Sequence, residues 1–266
     1  MKVEIDIDNI VPNLDKTSLD EFITKDKDKN KYNVILDTDT YNEADDQFAL
    51  SYLLKSQEIF NIEAITIAPF KHSKWQKTVS ESIDASYNEA CKIFDLLDLK
   101  DKSLIYKGSR DYLKNGYNEK NPAINKIIEI ANKNNKTYIL AIGCLTNIAL
   151  ALKYNPEIVD KIEVIWLGSN FLFGPNKDFN FAQDIEAVKV VFESNVKLTI
   201  LPCSPITSNL MTSIYELESE LKGKNKLCDY LCYRFYNRSH GPTKRWPLWD
   251  ISVIADRKST RLNSSH

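Results

Sequence analysis

From Tyr32 onward the hydrophobic positions follow two alternating rhythms. Short runs, mostly β-branched and apolar on consecutive positions, occupy Tyr32–Asp37, Ile62–Ala68, Leu104–Tyr106, Thr137–Ile142, Glu163–Leu167 and Lys197–Leu201. Stretches of helical spacing separate or follow them at Asp45–Lys55, Trp75–Leu97, Pro122–Asn134, Thr146–Tyr154, Asp184–Glu193, Ile214–Leu221 and Leu227–Tyr236. Strands apolar on both faces belong to sheets covered by helices on two sides. The alternation predicts an α/β fold, a mostly parallel central sheet flanked by helices, without internal repeats. Such sheets bind ligands beyond the carboxyl ends of their strands. Asp37 and Asp39 lie at that end of the first strand, and Ala68-Pro69-Phe70, Ile142-Gly143 and Gly168-Ser169-Asn170 at the ends of later ones.

The two ends of the chain break the rhythm. Residues 1–31 read as an N-terminal extension and charged linker. Ser18-Leu19-Asp20-Glu21 forms a capping-box pattern, and Lys25 to Lys31 is almost entirely charged. Residues 32–255 form the expected α/β domain. Residues 256–266 lack apolar periodicity and interrupt a helix pattern begun at Asp250. They read as a non-native tail, the translation of a sequencing adapter, which implies that the natural C-terminal part is missing.

At 266 residues the chain can bury one large core or two modest ones. A net charge of −2 gives no reason to expect a nucleic-acid or membrane partner. No apolar run reaches the ~18 residues of a spanning helix. The start, Met1-Lys2-Val3-Glu4-Ile5-Asp6, is too acidic for a signal peptide, so a cytoplasmic location is expected. Five cysteines at irregular spacing point to reduced, structural thiols. With only seven glycines and neither GxGxxG nor GxxxxGK, the chain lacks the usual phosphate cradles. The expected ligand is small and unphosphorylated.

The sharpest polar feature ends the first strand. Val34-Ile35-Leu36-Asp37-Thr38-Asp39 is followed at once by Asp45-Asp46. Residues two apart in a strand share a side, so Asp37 and Asp39 start as neighbours. Two like charges about 4 Å apart repel by roughly 4 kcal/mol at an effective dielectric of about 20. A helix N-terminus returns only about 0.3–1 kcal/mol per carboxylate. Some carboxylates must be protonated, point into water, or surround a cation. Oxygen donors without nearby His or Cys favour Ca²⁺ or Mg²⁺.

Asp37-Thr38-Asp39-Thr40 after a strand resembles the first motif of the haloacid-dehalogenase-like Mg²⁺ phosphatases. The longer stretch Asp37 to Leu50 resembles the nucleoside hydrolase signature D-x-D-P-G-x-D-D-A-x-A. Ile142-Gly143-Cys144-Leu145-Thr146-Asn147-Ile148-Ala149 is similar to that family's G-P-L-T-N-I-A. Asp178-Phe179-Asn180 through Asp184-Ile185-Glu186-Ala187 is similar to E-F-N-x-x-x-D-P-E-A, and Trp249-Asp250 stands where the family has H-D. Four ordered matches favour a divergent, bacterial-type branch of the inosine-uridine preferring nucleoside N-ribohydrolases.

The resemblance implies a Rossmann-like fold and hydrolysis of the N-glycosidic bond of ribonucleosides, as in base salvage. It implies Ca²⁺ as cofactor, held by Asp39, Asp46, Asp250 and the Ile142 carbonyl. Asp39 would also be the general base. Asp45, His72, Asn170 (with Asn176 as the alternative), Asp178, Asn180 and Trp249 would contact the nucleoside, with Asp37 in support. Members are often dimers or tetramers, which brings a homo-oligomer into view. Three departures stand out. Tyr41-Asn42-Glu43-Ala44 replaces the tight P-G turn with two extra residues, His72 lies where an Asn usually touches the sugar, and Trp249 replaces a proton-donating His. Trp cannot transfer a proton, so no leaving-group acid is assigned; His240 is the other internal candidate. The competing readings are an Mg²⁺ phosphatase with Asp37 as nucleophile and a non-catalytic nucleoside- or sugar-binding relative.

Overall fold

The computed structural model describes residues 31–170, 178–238 and 244–263. The capping box at Ser18, together with Asn176 and His240, lies outside them. Six parallel strands form the central sheet: β1 (Tyr32–Thr38), β2 (Phe60–Ile67), β3 (Ile105–Lys107), β4 (Thr137–Ala141), β5 (Ile162–Leu167) and β6 (Lys197–Leu201). They lie in the order β3-β2-β1-β4-β5-β6. The chain leaves β1 in one direction toward β2 and β3, then returns to β4 on its other side. The strand order therefore reverses between β1 and β4, which opens a crevice at their carboxyl ends.

Alternate residues of β1 feed two cores. Val34 and Leu36 pack with helices α1 (Asp45–Leu54), α2 (Val79–Leu96), α8 (Lys226–Tyr236) and α9 (Ile251–Asn263). Ile35 packs on the opposite face with α3 (Pro122–Lys133), α4 (Thr146–Tyr154) and α6 (Ile185–Glu193). This two-sided cover is what the unbroken apolar runs anticipate. All five cysteines are unbridged. Among the described residues no helix is long and apolar enough to cross a membrane.

Several details differ from the sequence reading. Helix α2 begins at Val79, not Trp75, because Thr78 closes a capping box. Its hydroxyl accepts from Glu81 N at 3.2 Å while the Glu81 carboxylate accepts from Thr78 N at 2.8 Å. Two short helices, α5 (Phe179–Gln183) before α6 and α7 (Ile214–Glu220) beyond β6, also form, and only the second is expected from the sequence. A small antiparallel pair, β7 (Met211–Ser213) with β8 (Arg245–Pro247), was not foreseen. Helix α9 shows no break at Asp256 and runs on to Asn263. The Arg257 guanidinium lies 4.6 Å from the ring centres of both Tyr32 and Tyr138.

One buried side chain ties the strand ends together. Asn147, in the first turn of α4, donates to Asp37 Oδ1 (2.9 Å) and to the Ile67 carbonyl (3.0 Å). Its own carbonyl oxygen accepts from Ser109 N and Ser109 Oγ, both at 2.9 Å. Gly108 makes room for this, since a Cβ there would fall 2.1 Å from Ile67 O and 2.5 Å from Asn147 Nδ2. Asn147→Ala would take a partner from four buried groups, of which Asp37 Oδ1 keeps Thr66 and Ser109 Oγ keeps Asn121. It is expected to cost about 3 kcal/mol, or roughly 6–12 °C in Tm. Chemical denaturation checks this, and a loss under about 1 kcal/mol would show the hub to be idle.

Candidate active site

A cavity of about 570 Å³ opens at the crevice between the ends of β1 and β4. Its wall contains Asp39, Asp45, Asp46, His72, Ile142, Asn170, Asp178, Asn180, Trp249 and Asp250. Among the described residues these are all the site candidates singled out from the sequence except Asp37. They come from the ends of strands and from the first turns of helices, so the strand-end rule and the motifs converge on one place. Asn42, Glu43, Ser73, Leu167, Phe179, Cys203 and Trp246 are the other lining residues among those described. Cys203 could have been found by the same rule, for it follows β6 by two residues.

The acidic floor is almost wholly buried. Asp39 leaves β1 and turns back, its carbonyl accepting from Asn42 N at 2.8 Å. Asp45 and Asp46 open α1. Asp46 Oδ1 accepts from Thr38 Oγ1 at 2.6 Å. Asp250 reaches the same floor from a position 205 residues along the chain, its backbone N donating to Asp45 Oδ2 at 3.4 Å. Carboxylate oxygens of Asp45, Asp46 and Asp250 lie within 4.8 Å of one another. This tight trio differs from the expected Asp39, Asp46 and Asp250 set, because Asp45 and Asp250 meet directly while Asp39 stands further round the same cavity. Gly143 keeps the space beside Asp39 open, since a Cβ there would meet Asp39 Oδ1 at 3.4 Å and Ala68 Cβ at 3.0 Å.

Burial raises every one of these acids. For Asp39 and Asp45 repulsion from Asp46 adds to it, and for Asp250 repulsion from Asp45, Asp46 and Asp39. Asp46 is pushed up to about 7 by burial, against the opposing hydrogen bonds from Thr38 and Asp250. Left to themselves, the carboxylates relieve their repulsion by holding protons. Asp39 Oδ2 is buried with no hydrogen-bond partner. An acceptor-only oxygen cluster with an orphaned buried atom fits a hard divalent cation, and Ca²⁺ tolerates such irregular oxygen shells. Ile142 lines the cavity, and its carbonyl accepts from Asn180 Nδ2 at 3.1 Å, using one of its two lone pairs.

The opposite wall is hydrogen-bonded in place. Asp178 caps α5, its Oδ2 accepting from Phe181 N at 2.8 Å. Its Oδ1 accepts from Cys203 Sγ at 2.9 Å, and burial beside Asp178 pushes that thiol well above its ordinary range. Asn180 joins the ends of β4 and β5 by donating to Ile142 O and, at 2.9 Å, to Leu167 O. The His72 ring stacks on Phe70, 5.7 Å between centroids and 8° between planes, while its Nδ1 accepts from Lys74 N at 3.2 Å. Trp249 packs edge-on against Trp246, and its buried Nε1 has no partner.

The longer loop Tyr41–Ala44 is fastened from far away. Arg234 on α8 donates to the Glu43 carbonyl at 3.2 Å, across 191 residues, and lies over the Tyr41 ring. It also approaches Glu89 Oε1 at 3.5 Å, an atom that accepts from Gln47 Nε2 and from Tyr230 OH. These contacts do the work of the tight turn that the sequence lacks.

Asp37 is the exception among the candidates. Its Oδ1 accepts from Thr66 Oγ1 (2.6 Å) and Asn147 Nδ2, and burial pushes the group up to about 6. It does not line the cavity. A carboxylate so enclosed has no path to a phosphoryl group, which removes the support for Asp37 as a nucleophile.

Residues 34–260 match the profile of the inosine-uridine preferring nucleoside hydrolases. A Dictyostelium discoideum protein described as a probable ribonucleoside hydrolase is 44% identical over 70 residues, 25% of this chain and 21% of that protein. A protein of Oryza sativa subsp. japonica described as probable uridine nucleosidase 1 is 31% identical over 109 residues, 38% of this chain and 33% of its own length. The matched segments thus span between 21% and 33% of these relatives. A solved inosine-guanosine nucleoside hydrolase superposes with a TM-score of 0.70 at 17% identity, over 86% of this chain and 79% of that one. A purine-preferring ribonucleoside hydrolase from Gardnerella vaginalis gives 0.66 at 23% identity, over 86% and 80%. At these identities the solved structures speak for a common fold. The sequence profile, running from the middle of β1 into α9, carries the stronger conclusion: the chain belongs to the inosine-uridine preferring nucleoside hydrolase family.

Proposed function

We propose that this chain hydrolyses the N-glycosidic bond of ribonucleosides, giving free base and ribose, with Asp39 as general base beside a Ca²⁺ ion. One observation carries the reading. The buried, partnerless Oδ2 of Asp39 shares a cavity with the Asp45, Asp46 and Asp250 cluster. Asp39, Asp46, Asp250 and the Ile142 carbonyl would hold the ion, with Asp45 close enough to bind it or a sugar hydroxyl. When bound, Ca²⁺ supplies a fixed charge that gathers the sugar diol and water and keeps the surrounding carboxylates ionised.

The rest is the work of the chain. Asp39 takes a proton from water as the water oxygen bonds to C1′ of the ribose. The C1′–N bond breaks and its electron pair leaves with the base as an anion, which takes its proton from solvent, while Asp39 returns the proton it accepted to solvent. Positive charge grows on the sugar as this happens, and the preorganised acidic floor stabilises it. Asp178 and Asn180 are held so that sugar hydroxyls meet fixed partners, which turns a collision into a positioned attack. Trp249 can offer its unpaired indole N–H to the departing base as a hydrogen bond, but no proton.

Asp39→Asn keeps the shape of the side chain and removes its basicity. It is expected to lower kcat about 10²–10⁴-fold, measured as reducing sugar released from inosine or uridine. Activity within about threefold of wild type would remove Asp39 from the base role. Chelation by EDTA should abolish turnover and added CaCl₂ restore it. Turnover that survives full chelation would count against the cation.

The raised acids also fix a pH dependence. Asp37 and Asp46 rise from 3.8 to about 6 and about 7, so the cation-free folded state holds more protons than the unfolded chain across that interval. Stability without a divalent ion should therefore fall as pH rises from about 4 to about 7. Ca²⁺ competes with those protons, so it should raise Tm more at about pH 8 than at about pH 5. Thermal melts with EDTA or CaCl₂ at both pH values test this, and a pH-independent Tm would contradict it.

A further inference from the structure

The cavity has two walls from distant parts of the chain, the loop bearing His72 and the helix α5 with its cap Asp178 and its Asn180. The side chain of Gln183 joins them. Gln183, the last residue of α5, accepts from Lys71 N at 2.8 Å through Oε1 and donates to Lys71 O at 2.9 Å through Nε2. Its amide thus pairs with both backbone groups of a residue 112 positions away, as a neighbouring strand would. The Tyr112 hydroxyl donates to the same Oε1.

The anchor behind this bracket is stiff. Asp184, the next residue, accepts from Leu113 N (2.7 Å), Lys114 N (3.0 Å) and Thr146 Oγ1 (2.7 Å). Lys71 lies between Phe70 and His72. Phe70 is fully buried, and its N donates to Ser82 Oγ at 3.0 Å. His72 stacks on Phe70, and the Lys74 N–H directed at Nδ1 leaves the ring proton on Nε2.

Building on the nucleoside hydrolase reading, we infer that Gln183 is a positioning residue, bracing the Lys71 backbone so that His72 meets a ribonucleoside held against Asp178 and Asn180. The brace sets the distance between the two walls and acts on the ligand only through His72.

The test uses the full chain with four forms: wild type, Gln183→Ala, His72→Ala and the double variant. Amide hydrogen exchange comes first and needs no activity. Gln183→Ala should lose protection at Lys71 while Ile65 and Ile67 in β2 keep theirs. Unchanged protection at Lys71 overturns the brace, and loss spread through β2 reduces it to general stability. Kinetics with inosine and uridine then test the coupling. Gln183→Ala should lower kcat/KM about tenfold to a hundredfold, mostly through KM. In the His72→Ala background the same change should cost less than about threefold. An equal loss in both backgrounds overturns the action through His72. Gln183→Glu adds a pH readout, because a protonated carboxyl can donate to Lys71 O as the amide does and a carboxylate cannot. Its activity relative to wild type should rise as pH falls, and a flat ratio counts against the pairing. Should wild type hydrolyse no nucleoside, the proposed activity fails. The exchange data still judge the brace, and the four-form cycle is then read as Kd for inosine by calorimetry.

Discussion

The burial of mutually repelling carboxylates governs this molecule. Asp39, Asp45, Asp46 and Asp250 are each nearly inaccessible to water; burial raises the protonation of all four, and repulsion within the group adds to it for Asp39, Asp45 and Asp250. No surface advantage of a helix N-terminus offsets such crowding. The chain tolerates it because neighbouring groups hold the acids in place. Thr38 steadies Asp46, Thr66 and Asn147 steady Asp37, and the Asp250 N–H reaches Asp45. Stability is given up at the crevice so that a cation, once present, finds its oxygen shell already assembled.

Topology determines where that strain can sit. Because the strand order reverses between β1 and β4, no crossover helix covers the gap between their carboxyl ends. The gap takes Asp39 from β1, the Ile142 carbonyl just past β4, and Asp178 with Asn180 from beyond β5. The two hydrophobic cores on either side keep these ends from moving apart.

Much of this was legible in the residues. The six sheet strands stood out because most of them are apolar on both faces, and the strand-end rule placed the acids. The order of the strands was not legible, since periodicity says nothing about which strand lies beside which. Strands β7 and β8 have three residues each, too few to display a period of two, and α5 is little more than one turn. The start of α2 was misread because Trp75 suits a helix in spacing, while the capping chemistry belongs to Thr78. Gln183 and Glu89 matched no motif. Their value comes from partners more than a hundred positions away or on another helix, which no local pattern records.

The hold of Arg234 on the loop before Asp45 has a kinetic meaning. That loop opens the acidic helix near the start of the domain, yet its clasp belongs to the last third of the chain. Contacts of such sequence separation form late. If the acids hold an ion as proposed, their cradle would be complete only once α8 has docked, and ion affinity would report that step of folding. A divalent cation would then act as a latch, engaging the finished protein and slowing its return to the open chain.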